Sequence, residues 1–277
     1  MRIHLGGSSR QSLVIARGSL DAAVKGVSAS TASEISTHLF FAAEVFASKT
    51  ALRRAITDPS RDIASKTALI KELFGSKIGK EASDLISGIA ALRWSAGKDV
   101  IYVLEQLAIE AEASAANINN ELDRVEDELF SASRVLVDSS ELRSALVGGA
   151  GADLKAQLVT EILSKNASAS TVKLVRALVT QRRGRSLEAA FAEYLFGLAN
   201  RRNRLIAVVR TAAPISDAQK VRLSGAIEKQ VGQPIRVNIQ VDPTIIGGVS
   251  IKFADELIDA SISNRLAHAG RALAGKN

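Results

Sequence analysis

Apolar residues recur at intervals of three and four from Ser9 to about Arg202, with Pro59 the only proline in that span. The first two thirds of the chain is therefore predicted to be helical. Local punctuation divides it. Asp58-Pro59-Ser60 has the chemistry of a turn and helix start, Leu73-Phe74-Gly75 that of a helix end, and Ser83-Asp84 that of a cap before Leu85, Ile86, Ile89 and Leu92. Beyond Gly97 one longer helix is predicted, because Leu104, Ala108, Ala111, Ala115, Ile118, Leu122, Val125, Leu129, Ala132 and Leu136 alternate steps of four and three. Such a seam fits either an intramolecular bundle or a dimer interface, and alanine at four of its positions weakens the stripe.

After Arg202 the period changes. Leu205-Ile206-Ala207-Val208-Val209 reads as a strand, and Ser216-Asp217-Ala218-Gln219 reads as a capping box that opens a helix with Val221, Leu223, Ile227 and Val231 facing inward. Gly232 and Pro234 stop it. Ile235, Val237, Ile239 and Val241 alternate with Arg236, Asn238, Gln240 and Asp242, and Val249, Ile251 and Phe253 repeat the pattern, as half-buried strands do. A last amphipathic helix is predicted from about Ser261 to Ala274. The expected fold is mainly α with a smaller α/β part: a helical-bundle domain over 1–203 and a small α/β domain over 204–277.

The helical part also resembles itself. Ala51-Leu52-Arg53-Arg54-Ala55-Ile56 lies over Glu141-Leu142-Arg143-Ser144-Ala145-Leu146, and the stretch from Lys66 to Leu73 lies over that from Lys155 to Ile162. Gly97-Lys98 before a helix parallels Gly184-Arg185 before Leu187, Phe191, Tyr194 and Leu195. An internal duplication of about 45–112 and 135–200 is expected.

Composition narrows the function. The 277 residues are 47% hydrophobic and 4% aromatic, enough for a core built from closely packed helices. No apolar run approaches the length of a membrane span, and Met1 to Arg10 lacks the apolar stretch of a secretory signal, so a cytoplasmic location is expected. Cysteine is absent, which excludes thiol catalysis, disulfides and thiolate metal sites. A net charge of +7 suits an acidic partner. The arginines at 182, 183, 185, 201, 202 and 204, and the carboxylates at 121, 123, 126, 127 and 128, read as solvated helix faces.

Tests for catalytic or cofactor chemistry fail one by one, so no catalytic residue, cofactor or metal is expected. In Gly148-Gly149-Ala150-Gly151-Ala152-Asp153-Leu154-Lys155 no glycine directly precedes the lysine and no Ser or Thr follows it, so it is an inter-helix loop and not a phosphate loop. His4, His38 and His268 are scattered, which leaves no metal-ligand spacing. Asp242, Asp255, Glu256 and Asp259 lack a histidine partner and read as strand ends and turns. Trp94, Tyr102 and Tyr194 stand alone, with no aromatic pair to stack bases, so nucleic acid is not an expected partner. A basic nucleic-acid binder using the 182–204 arginines, or a generic helical scaffold, is the alternative reading.

The segment from Val237 to Lys252, with Asp242, Ile246, Gly247 and Gly248 at its centre, resembles the signature of the ATP synthase delta subunit and oligomycin-sensitivity-conferring protein family. Family-like features flank it in order: Thr211-Ala212-Ala213-Pro214-Ile215-Ser216 before the capped helix, and Asp259-Ala260-Ser261-Ile262 after the strands. Gln181-Arg182-Arg183-Gly184-Arg185 before a helix is a looser likeness in the helical part. Typical members have a single helical domain; longer ones occur among actinobacteria. The resemblance implies a non-catalytic stator subunit on the cytoplasmic face of the cell membrane, held there through partners. Its helical domain would grip amino-terminal helices of the alpha subunits, and its second domain the carboxy-terminal helices of the b subunits. Leu13, Val14 and Leu20 on the first helix are candidates for a partner groove, with a core role as the alternative.

Overall fold

The structure, a computed structural model, describes residues 5–75, 77–201, 205–231, 235–243, 249–253 and 256–259. Eleven helices come first: α1 (Gly7–Val24), α2 (Ala29–Ser48), α3 (Thr50–Thr57), α4 (Ile63–Phe74), α5 (Lys80–Ala91), α6 (Asp99–Ile118), α7 (Leu122–Asp138), α8 (Ser140–Val147), α9 (Ala152–Leu163), α10 (Ala169–Thr180) and α11 (Leu187–Arg201). They are followed by β1 (Leu205–Thr211), α12 (Asp217–Val231), β2 (Ile235–Val241), β3 (Val249–Phe253) and β4 (Glu256–Asp259). The chain divides into two compact units, Met1–Leu198 and Ala199–Asn277.

Several helix starts are set by side chains that accept an orphan backbone N–H. Ser28, Asp62, Ser139 and Ser168 do this for Thr31, Ser65, Leu142 and Thr171. Two expected starts are displaced. Asp58 forms a local turn by accepting from the Ser60 N–H at 2.9 Å, but the helix begins at Ile63 under the Asp62 cap. Ser83 lies inside α5 and is buried, because that helix opens at Gly79 instead.

The long helix expected beyond Gly97 is two helices. The chain reverses at Asn119 and Asn120, and Asn120 adopts a left-handed φ of 58°, which asparagine tolerates better than most residues. The seam still holds across the break, because every one of its positions except Ile118 is buried in one continuous core. It is thus an intramolecular seam, and Ile118 is 43% exposed.

Helix lengths repeat along the first unit. α3, α4 and α5 contain 8, 12 and 12 residues, and so do α8, α9 and α10. Buried positions repeat too. Ala82, Leu85, Ile86, Ile89 and Ala90 of α5 recur 89 positions later (82 to 171, and so on) as Thr171, Leu174, Val175, Leu178 and Val179 of α10.

In the second unit β1 pairs in parallel with β2 and antiparallel with β3, giving the order β2-β1-β3-β4. α12 is the crossover between the parallel pair. Its start is the expected capping box: the Gln219 N–H donates to Ser216 Oγ at 3.3 Å, and the Ser216 N–H to Gln219 Oε1 at 2.8 Å. Val209, Ile227, Val237 and Ile251 form a small separate core, as the period-two pattern requires. The strand β4 was not anticipated as an element, although Glu256 and Asp259, read as strand ends or turns, lie at its two ends. The final helix expected over 261–274 lies outside the described residues.

Candidate functional site

α6 is the axis of the helical unit. Of its 20 residues 17 are buried, including the charged residues Asp99, Glu105, Glu110 and Glu112. Burying a carboxylate is costly unless charge and hydrogen bonds compensate it, and here each one is tied to a different neighbour. Asp99 Oδ2 accepts from Ser9 Oγ on α1 at 2.6 Å. Glu110 takes a two-pronged contact from Arg17 of α1, with Nη2 and Nε at 2.6 and 2.9 Å from Oε1. Glu112 receives Lys173 Nζ and Ser170 Oγ from α10 at 2.9 and 2.6 Å, and also Ser33 Oγ from α2 at 3.0 Å.

Glu105 holds the densest cluster. Arg183 Nη1 reaches Oε2 at 2.7 Å, while Arg185 Nη2 and the Tyr194 hydroxyl reach Oε1 at 2.6 and 3.0 Å. The turn that delivers both arginines has two consecutive left-handed residues, Arg183 at φ 50° and Gly184 at φ 80°. Burial works against the Arg185 charge, yet Glu105 and Glu193 outweigh it and hold its pKa above the ordinary arginine value. Burial raises the Glu193 carboxyl, against the pull of Arg185. Burial likewise raises the Tyr194 phenol, with Glu105 adding to it, and pushes Tyr102 up to about 12. The cluster joins α6, the turn before α11 and α11 itself, so its geometry is that of a fastener.

These contacts correct the reading of the two charge runs. Arg183 and Arg185 are spent on Glu105, so they are not free for a phosphate backbone. In the acidic run Glu126 is buried, and Glu128 Oε2 accepts from the Ser168 N–H and from Thr171 Oγ1, both at 2.7 Å. Burial raises the Glu128 carboxyl, but the bonds from Ser168, Thr171 and Arg124 prevail and hold it below its usual value. Sequence reasoning missed Glu105, Glu110 and Glu112. The available signal was a helix apolar on every face yet carrying carboxylates, a pattern that demands buried partners.

The candidate groove residues separate. Leu20 is fully buried in the core, Leu13 packs against that core while half-buried, and Val14 is 69% exposed. Val14 belongs instead to an outward face of α1 with Ile15, Gly18 and Ala22. A cleft of about 860 Å³ opens elsewhere, where Thr37, Phe40 and Glu44 of α2 face Ala156 of α9 and Arg176 of α10. Of the signature residues, Asp242 follows β2 and donates its N–H to the Thr211 carbonyl at 2.8 Å, and Asp259 ends β4 opposite Ser250. Ile246, Gly247, Gly248 and Ser261 lie outside the described residues, as do His4 and His268. Among the described residues no cluster of His, Cys, Asp and Glu could hold a metal ion, and no helix is long and apolar enough to cross a membrane.

Comparison with known proteins agrees with the signature. The chain is 39% identical over 269 residues to a Streptomyces coelicolor protein named ATP synthase subunit delta, covering 97% of this chain and 98% of that one. A protein of the same name from Streptomyces griseus is 39% identical over 272 residues, 98% of this chain and all of its own, and one from Kineococcus radiotolerans is 37% identical over 270 residues, 97% and 98% of the two chains. A chain in the cryo-EM structure of the Toxoplasma gondii mitochondrial ATP synthase hexamer is similar at 19% identity and a TM-score of 0.34, over 60% of this chain and 96% of its own. Residues 109–273 match the family model described as ATP synthase delta (OSCP) subunit, and the chain belongs to that family.

Proposed function

We propose that this protein is a peripheral-stalk subunit of the F-type ATP synthase, joining the alpha subunits of the catalytic head to the b subunits so that the stator resists rotor torque. The observation that carries this reading is the near full-length similarity to bacterial proteins named ATP synthase subunit delta. As a family member the chain is a structural component and not an enzyme. The helical unit binds amino-terminal helices of the alpha subunits, and the α/β unit binds carboxy-terminal helices of the b subunits. Both contacts are helix-in-groove docking, in which apolar anchors supply affinity and the +7 net charge favours acidic partner helices. The protein sits at the cytoplasmic face of the membrane through these partners.

A torque-bearing link must not yield internally. The buried ion pairs along α6 fix its register against α1, α10 and the turn before α11. Calorimetric titration of the full chain with a peptide from the alpha amino terminus, and separately with a b-subunit tail, tests the reading. Saturable binding of each, with scrambled peptides silent, is expected; silence from both native peptides would overturn it.

A further inference from the structure

The two halves of the helical unit share individual bonds, and where they differ two cations are left without acceptors. Arg53 Nη1 donates to the Ala47 carbonyl at 3.2 Å, and Arg143 Nη1 donates to the Val137 carbonyl at 2.8 Å, the same contact 90 positions on (47 to 137, 53 to 143). α3, α4 and α5 thus correspond to α8, α9 and α10. Lys66 is the fourth residue of α4 and Lys155 the fourth of α9, while Arg93 stands two places beyond α5 and Arg182 two places beyond α10. In the second half this lysine and arginine close the end of α8. Lys155 Nζ donates to the Gly148 carbonyl at 2.7 Å and Arg182 Nη2 to the Val147 carbonyl at 3.1 Å, which satisfies carbonyls that a helix leaves open.

In the first half the matching bonds are not made. The loop after α3, Asp58-Pro59-Ser60-Arg61-Asp62, is one residue longer than Gly148-Gly149-Ala150-Gly151 and folds back on itself. The Asp58 carbonyl, counterpart of the Gly148 carbonyl, accepts from the Arg61 N–H at 3.4 Å. The Asp58 carboxylate accepts from the Ser60 N–H and hydroxyl at 2.9 and 2.7 Å, and Asp62 accepts from the Ser65 N–H and hydroxyl at 2.8 and 2.6 Å. Lys66 is left with no hydrogen bond or ion pair among the described residues, although it is only 5% exposed and lies on the inward stripe of α4 with Ile70 and Phe74. Burial lowers its pKa, Asp58 opposes this, and Arg61 and Arg93 add to it. Both arginines are exposed, and among the described residues their side chains likewise have no acceptor. A buried ammonium is costly without a partner, and the groups acting on this one leave the corner with three cations against the single carboxylate of Asp58.

We infer that Lys66, Arg61 and Arg93 form a binding site for a phosphate dianion, free or as the terminal group of a phosphate ester. The excess of two positive charges matches a doubly charged oxyanion better than a single carboxylate. Two exposed guanidinium forks suit its outer oxygens, and the ammonium below them suits one more. Bound there, the anion does for the first half what the end of α8 does for the second: it gives the lysine and the arginine an acceptor and ties α4 to the end of α5.

The test titrates the full chain by calorimetry at low ionic strength with inorganic phosphate and, separately, with ADP, comparing wild type with Lys66→Met, Arg93→Gln and Lys155→Met. One anion per chain is expected, with affinity reduced about tenfold or more by Lys66→Met and by Arg93→Gln and unchanged by Lys155→Met. Tighter binding of ADP than of phosphate, with the same dependence on Lys66, assigns the site to a phosphate ester; tighter binding of phosphate assigns it to the free ion. Melting gives a readout that a merely structural lysine would move the other way. Without phosphate, Lys66→Met should melt no lower than wild type, because an unpartnered charge is removed and the stem retained, whereas Lys155→Met should melt lower. Phosphate should raise the melting temperature of wild type and leave that of Lys66→Met unchanged. The inference is overturned if neither phosphate nor ADP binds wild type saturably, if binding survives both Lys66→Met and Arg93→Gln, or if Lys66→Met lowers melting as much as Lys155→Met does. None of these results bears on the head-binding role proposed above.

Discussion

Replacing Glu105 by alanine removes one carboxylate from between Arg183, Arg185 and Tyr194 at the centre of the helical unit. Glu105 is 1% exposed, and the side chains of Arg183 and Arg185 are 21% and 12% exposed. Breaking a buried pair from one side costs about 3–5 kcal/mol, chiefly through the charge left behind. Two features favour the lower end. Arg183 is near enough to water to rehydrate, and Arg185 keeps its bond to Glu193. A loss of about 3 kcal/mol is therefore expected, which for a unit of this size lowers the melting midpoint by about 6–12 °C.

Urea unfolding followed by circular dichroism measures the loss, with the slope checked for constancy so that a shifted midpoint can be read as stability. Glu105→Gln should lose less, since its amide oxygen still accepts a hydrogen bond from among these donors. A loss below about 1 kcal/mol for Glu105→Ala would refute the reasoning, because that is the scale of a solvent-screened surface pair.

Gly197 of α11 leaves room for Ile109 of α6, whose Cγ2 would stand 2.7 Å from an added Cβ. Gly197→Val should accordingly destabilise by about 1–3 kcal/mol in the same unfolding assay. At Asn120, with φ 58°, substitution by glycine should be neutral or stabilising, and substitution by valine should cost about 1–2 kcal/mol. The pKa of Glu128 is lower in the folded chain than in the unfolded one, so its contribution is present above the unfolded value and lost as pH falls through the folded value. Wild type should therefore lose more stability than Glu128→Gln on acidification, as seen in melts across that range.

The parts of the fold legible in the sequence were those with local causes. The capping box at Ser216 and Gln219, and the alternation in β2, depend on neighbours within a few residues, and both appear as expected. The break at Asn119-Asn120 was hidden because the apolar steps run through it: a helical hairpin whose two arms face one core can preserve phase across its turn. Ser83 looks like a cap in isolation, but the apolar face of α5 already begins at Ala82, and burial settles the register. The charged residues were the least legible. Arg183, Arg185 and Glu105 are 78 to 80 positions apart in sequence, and nothing local distinguishes a carboxylate waiting for such partners from one on a wet face. Of the groove candidates, Leu13 and Leu20 share the helix face that packs inward while Val14 lies a quarter-turn away, a distinction that needs the position of the neighbouring helices.

The most direct measurement is proton-driven ATP synthesis in membranes from which this chain has been removed and then restored. Removal should abolish coupled synthesis while ATP hydrolysis by the catalytic head persists, and adding back the purified protein should restore coupling and bind one chain per synthase. Coupled synthesis that continues at its full rate without the chain would contradict its role as the link between head and stalk.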